Sequence, residues 1–155
     1  MANQRSRWMG QAAAAGLIAG VFLGVLLYAA EKLTGLRVYT LLMNVDYVPV
    51  LKEYPFPAPV EFLFHLIVSV ILAIVLLWLV RHFRWTGRRL AGWMVALNGI
   101  VGLCIWPVTA LSERTPEIGD PAALGVWLAA HLLYGGVLAW MFRRTPRKEG
   151  SSILS

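Results

Sequence analysis

Apolar and polar positions alternate along this chain on a long scale: four extended apolar runs are separated by short polar stretches, and each run predicts one membrane-crossing helix. The clearest is PVEFLFHLIVSVILAIVLLWLV, from Pro59 to Val80. A helix rises about 1.5 Å per residue, so about 20 mostly apolar residues cross the hydrocarbon layer. Only Glu61, His65 and Ser69 interrupt the run. Spaced four apart, they lie one above the other as a single polar stripe. Ionisable groups at membrane depth are costly, so the stripe is expected to face protein or water and to mark a candidate site.

The other runs follow the same logic. From Trp8 to Ala30 the chain is apolar for longer than the 7–15 or so residues of a secretory signal core, and Tyr28 stands where a cleavage site would want a small residue. It is read as a retained first span, with Thr34–Gly35 as its stop. A third span carries Asn98 and, near its far end, Pro107, which is expected to kink it by removing a backbone hydrogen bond. Asp120-Pro121 is a helix start, an N-cap acceptor followed by proline, and opens the fourth. The reading is an all-α integral membrane protein, one four-helix domain over residues 1–142 with spans at about 8–33, 59–83, 89–111 and 121–142, followed by a basic tail, 143–155, expected to be disordered.

The outer connection, 34–58, has two parts. LRVYTLLMNV is apolar but too short to cross, which predicts a short helix in the interface or tucked over the bundle. DYVPVLKEYPFPAP holds four prolines and suits neither a helix nor the centre of a sheet.

Composition sharpens this. The chain is 59% hydrophobic and 14% charged, with mean hydropathy +0.66, against about 45–50% apolar and about 25% charged for soluble domains. A net charge of +6 would suit nucleic acid only with the basic residues gathered on one water-exposed face. Here they sit in clusters between apolar runs, so no nucleic-acid partner is expected, and the bilayer is the partner. Arg5, Arg7, Arg81, Arg84, Arg88, Arg89, Arg143, Arg144, Arg147 and Lys148 fall on one side of the alternating spans with Glu149 as the only acid, giving +9 there and −3 on the other side. Because Lys and Arg concentrate in cytoplasmic loops, both termini and the 81–89 turn are expected in the cytoplasm, in a bacterial cytoplasmic membrane. Cys104 is the only cysteine, which leaves no internal disulfide and no paired-cysteine redox or zinc site.

With that orientation the polar residues converge on the outer half: Glu61 and His65 in the second span, His131 and Tyr134 three apart in the fourth, and Glu31 at the end of the first. Three readings compete. Glu61 and His65 satisfy one another while His131 bonds backbone or Tyr134; or His65, His131 and Glu61 (or Glu31) ligate a metal, imidazole and carboxylate suiting zinc-like ions; or Glu and His exchange protons in a water-accessible vestibule. Asn98 is expected to make an interhelical hydrogen bond. Gly16, Gly20 and Gly24 continue from Ala12 as a small-residue ridge, suited to tight packing inside the subunit or to a homo-oligomer. No nucleophile elbow, HExxH or phosphate-binding glycine loop occurs. The expected function is therefore a non-enzymatic accessory or structural bundle without a cofactor. The alternatives are a small transporter or channel subunit handling protons or a small solute, and a metal-binding membrane protein.

The segments LLMNVDYVP, EFLFHLIVSV and HLLYGGVLAW resemble small, uncharacterised bacterial inner-membrane proteins of the YagU-like or YqhR-like kind. The resemblance implies a four-helix bundle of the cytoplasmic membrane and carries over no catalytic residue.

Overall fold

The structure is a computed structural model. It describes residues 2–47, Val50, Tyr54 and 56–144, with residues 2–5 described by their backbone alone. The other residues of the proline-rich connection and the tail from 145 onward lie outside the described residues, and so do the expectations made for them.

Among the described residues five α-helices follow in order: α1 (Ala2–Thr34), α2 (Val38–Met43), α3 (Ala58–His82), α4 (Gly87–Ile105) and α5 (Pro121–Arg143), with a 3-10 helix, Trp106–Leu111, continuing α4. No strand occurs among the described residues. Four stretches are long and apolar enough to cross a membrane: Ser6–Thr34, Ala58–His82, Gly87–Leu111 and Pro121–Arg143. The architecture is the all-α four-helix membrane bundle expected from the apolar runs.

Local chemistry sets the helix ends. Gly35 takes φ +76° after α1, a conformation that costs glycine little and stops a helix. Asp120 caps α5, its carboxylate accepting from the Ala122 and Ala123 amides at 2.9 and 3.0 Å. At Pro107 the α-helical ladder ends one turn early, and the chain tightens into the 3-10 helix. The sequence leads one to expect a kinked α-helix here; proline's missing N–H is accommodated by a change of helix type.

Packing depends on small residues, because apolar surface gains nothing from leaving a lipid of equal apolarity. The α1 ridge lies against α3. A Cβ on Gly16 would stand 2.7 Å from the Val70 Cα, and one on Gly20 would stand 2.8 Å from the Ser69 hydroxyl. On the other side of the bundle a Cβ on Gly135 would come 2.6 Å from the Met94 carbonyl oxygen, bringing α4 and α5 into backbone contact. The ridge therefore packs against α3 inside the subunit. Outward faces carry Leu17, Ile18, Val21, Ile71, Val75, Ile100 and Leu133, apolar groups suited to lipid.

The helices stand in the spatial order α3, α1, α5, α4. Neighbours in that order pack along their lengths, whereas α3 and α4 do not pack on each other in this way, although only the turn from Phe83 to Thr86 separates them. At that turn Trp85 stacks on Phe83 and Trp93, with centroids 5.5 and 5.2 Å apart. Away from it a cleft opens between α3 and α4. The short helix α2 folds back over this far end, touching α1, α3 and α5.

Candidate functional site

The cleft holds a cavity of about 320 Å3, at the lower end of the range for small-molecule sites. Its walls are mostly apolar, with Phe64 and Val68 of α3 facing Val101 and Ile105 of α4, and Leu41 of α2 above. Ile67 and Val68, which line it, are 47% and 60% exposed, so it opens sideways. Val68 stands ten residues into α3, about 15 Å from its start at 1.5 Å per residue. The mouth therefore lies near the middle of a helix long and apolar enough to cross a membrane.

Polar side chains gather at the inner wall. Four of the five residues expected to cluster, Glu61, His65, His131 and Tyr134, line this cavity together with Ser69. Glu31 does not. Its carboxylate is turned to α2, accepting from the Thr40 amide at 2.8 Å and the Thr40 hydroxyl at 2.9 Å.

The partners differ from those expected. His65 and Glu61 do not satisfy each other. His65 Nε2 lies 3.1 Å from the Gly20 carbonyl oxygen, while Glu61, 6% exposed, accepts from Arg114 Nη1 at 3.3 Å. The same nitrogen lies 3.4 Å from Asp46, so one guanidinium ties the loop after α5's predecessor to α3 and to the segment after α2. His131 Nδ1 lies 2.9 Å from the Trp127 carbonyl oxygen, the backbone partner expected for it. Carbonyls only accept, so the ring nitrogen facing each one carries the hydrogen. Among the described residues no group of three His, Cys, Asp or Glu stands close enough to hold a metal.

Tyr134 and Ser69 carry a hydrogen-bond chain across three helices. The Tyr134 hydroxyl donates to Ser69 Oγ at 2.8 Å, and Ser69 donates to the Gly16 carbonyl at 2.7 Å. The close approach at Gly16 makes this chain reachable. Asn98, expected to bond another helix, bonds its own: Nδ2 donates to the Met94 carbonyl at 2.7 Å. Gly135 is the neighbour it meets on α5 and offers no side chain, and an amide on a helix can reach back one turn.

Asn44, Tyr47 and Trp127 line the cavity too and escape the sequence reading. Trp127 is the nearest to legible, four residues before His131 and so on its face; its indole donates to the Gly102 carbonyl at 2.9 Å, and its ring centroid is 4.3 Å from that of His131. Asn44 is fully buried, and its amide nitrogen has no hydrogen-bond partner among the described residues. Burial pushes the Tyr47 phenol above its ordinary pKa.

Comparison of the chain with protein-family models, curated proteins and solved structures finds no match.

Proposed function

We propose that this chain is a non-enzymatic, multi-pass membrane protein that binds a small amphiphile dissolved in the bilayer, held in the cavity between α3 and α4. One observation carries this reading: an apolar cavity with polar groups on its inner wall opens sideways past Ile67 and Val68, near the middle of a helix long and apolar enough to cross a membrane. A ligand entering there is itself lipid-soluble. Between Ser69 and the Arg81 end the core is filled by Ala73, Leu76, Leu77, Val80, Met94 and Leu138, with Asn98 the polar exception. That filling supports a binding site closed on one side over a channel for ions or solutes.

The charge asymmetry supports a cytoplasmic position for both termini and for the 81–89 turn, and a place in the cytoplasmic membrane. Reporter fusions after Arg84 and after Arg114 then report opposite sides; the same side for both would refute the orientation.

The functional reading is tested by extracting the purified protein with organic solvent and identifying what co-purifies by mass spectrometry. An amphiphile at near-equimolar yield is expected from the native chain and from Ile100→Trp, which alters a lipid-facing position. Val101→Trp, which fills the cavity, is expected to lose it. Equal yields from the two variants would count against the cavity.

A further inference from the structure

We infer that the head group bound in this cavity is uncharged and carries a hydroxyl, which donates to a histidine ring nitrogen. This rests on the amphiphile-binding reading above and specifies its ligand class.

The hydrogen-bonding groups on the wall are unequally used. His65 donates through Nε2 to the Gly20 carbonyl and His131 through Nδ1 to the Trp127 carbonyl. In each neutral ring this leaves the second nitrogen, Nδ1 of His65 and Nε2 of His131, as an acceptor without a protein partner among the described residues. Tyr134 spends its proton on Ser69. Asn44 is closed off by contrast: its Oδ1 accepts from the Asp46 amide at 3.1 Å, and its Nδ2, without a partner among the described residues, is buried out of reach of the cavity. The wall thus presents histidine acceptors without a matching donor, and a ligand hydroxyl answers them.

Charge narrows the class. Among the described residues neither lysine nor arginine lines the cavity, so a phosphate head would find no counterion among them and would face Glu61. Arg114, the nearby cation, is already shared between Glu61 and Asp46. A cationic head would have to displace it. Isoprenoid alcohols, monoacyl and diacyl glycerols and hydroquinones with an isoprenoid tail share the remaining chemistry: a neutral hydroxyl on an apolar chain.

The test uses the full chain in lipid nanodiscs, with bound probe counted by native mass spectrometry as the probe's mole fraction in the disc rises. Two matched pairs are compared, decylubiquinol with its di-O-methyl ether and dodecanol with dodecyl methyl ether, beside dodecyl phosphate. Losing the donated hydrogen bond leaves a buried acceptor unpaired, so within at least one pair the hydroxyl probe binds about tenfold tighter or more; the pair that shows it separates a phenolic head from an aliphatic one. Dodecyl phosphate binds more weakly than dodecanol. Ethers binding as well as alcohols, in a manner that Val101→Trp abolishes and Ile100→Trp does not, would overturn the head-group inference and leave the cavity reading standing. Dodecyl phosphate binding as tightly as dodecanol would likewise overturn it. Binding of no probe, or binding indifferent to Val101→Trp, would overturn both.

Discussion

Arg114 Nη1 stands 3.3 Å from Glu61 Oε1 and 3.4 Å from Asp46 Oδ1, so a single guanidinium neutralises the carboxylate that roofs the cavity. Glu61 is buried, whereas the Arg114 side chain is half exposed, which screens the pair and lowers its worth. Arg114→Gln leaves a buried carboxylate without its cation and is expected to cost about 1–2 kcal/mol, the lower part of the range for an unpaired buried group. Adding Glu61→Gln should recover part of the loss, because a neutral amide no longer requires the cation. Thermal unfolding of the three variants in mild detergent checks this; a double variant less stable than Arg114→Gln would contradict the pairing.

The glycine contacts separate positions that look alike in sequence. Gly16→Ala drives a methyl to within 2.7 Å of the Val70 Cα, while at Gly92 a Cβ meets nothing within 4 Å. The first should destabilise by about 1–3 kcal/mol through overpacking. The second should be neutral or stabilising by up to about 1 kcal/mol, through alanine's better helix propensity. Unfolding by a denaturing detergent reads both, and similar effects at the two positions would place the ridge elsewhere. With the ridge inside the subunit, Gly20→Leu unfolds the chain and does not convert an oligomer into folded monomers.

Tyr134→Phe removes the first donor of the chain through Ser69 to Gly16. Interhelical hydrogen bonds in membranes average about 0.6 kcal/mol, so a loss of about 0.5–1 kcal/mol is expected. Ser69→Ala, which breaks both bonds, should cost more. If the two variants lose the same amount, the chain is not continuous.

The helices are legible in the sequence because length and apolarity suffice to identify a crossing segment, and the stripe of Glu61, His65 and Ser69 is legible because helical spacing places it. The partners are not. Pairing Glu61 with His65 follows from their spacing, but adjacency on a helix also lets each turn to a different neighbour, and Arg114 lies 53 residues away. The spatial order that leaves α3 and α4 apart depends on which helices carry glycines at matching heights. Gly16 and Gly135 contact different partners, Val70 and Met94, and nothing local to either helix encodes the match. Asn44 stands in a short apolar segment whose role depends on α2 folding back over the bundle, so its orphan amide has no sequence signal.

Binding in the cleft is read most directly by photocrosslinking a lipid-soluble diazirine probe with a hydroxyl head to the chain in nanodiscs and mapping the adducts by peptide mass spectrometry. Adducts concentrated on the cavity wall, at Phe64, Val68, Val101 and Ile105, and suppressed by excess dodecanol are the expected result. Adducts spread evenly over the lipid-facing positions Leu17, Val21, Ile71 and Ile100, unaffected by competitor, would contradict it.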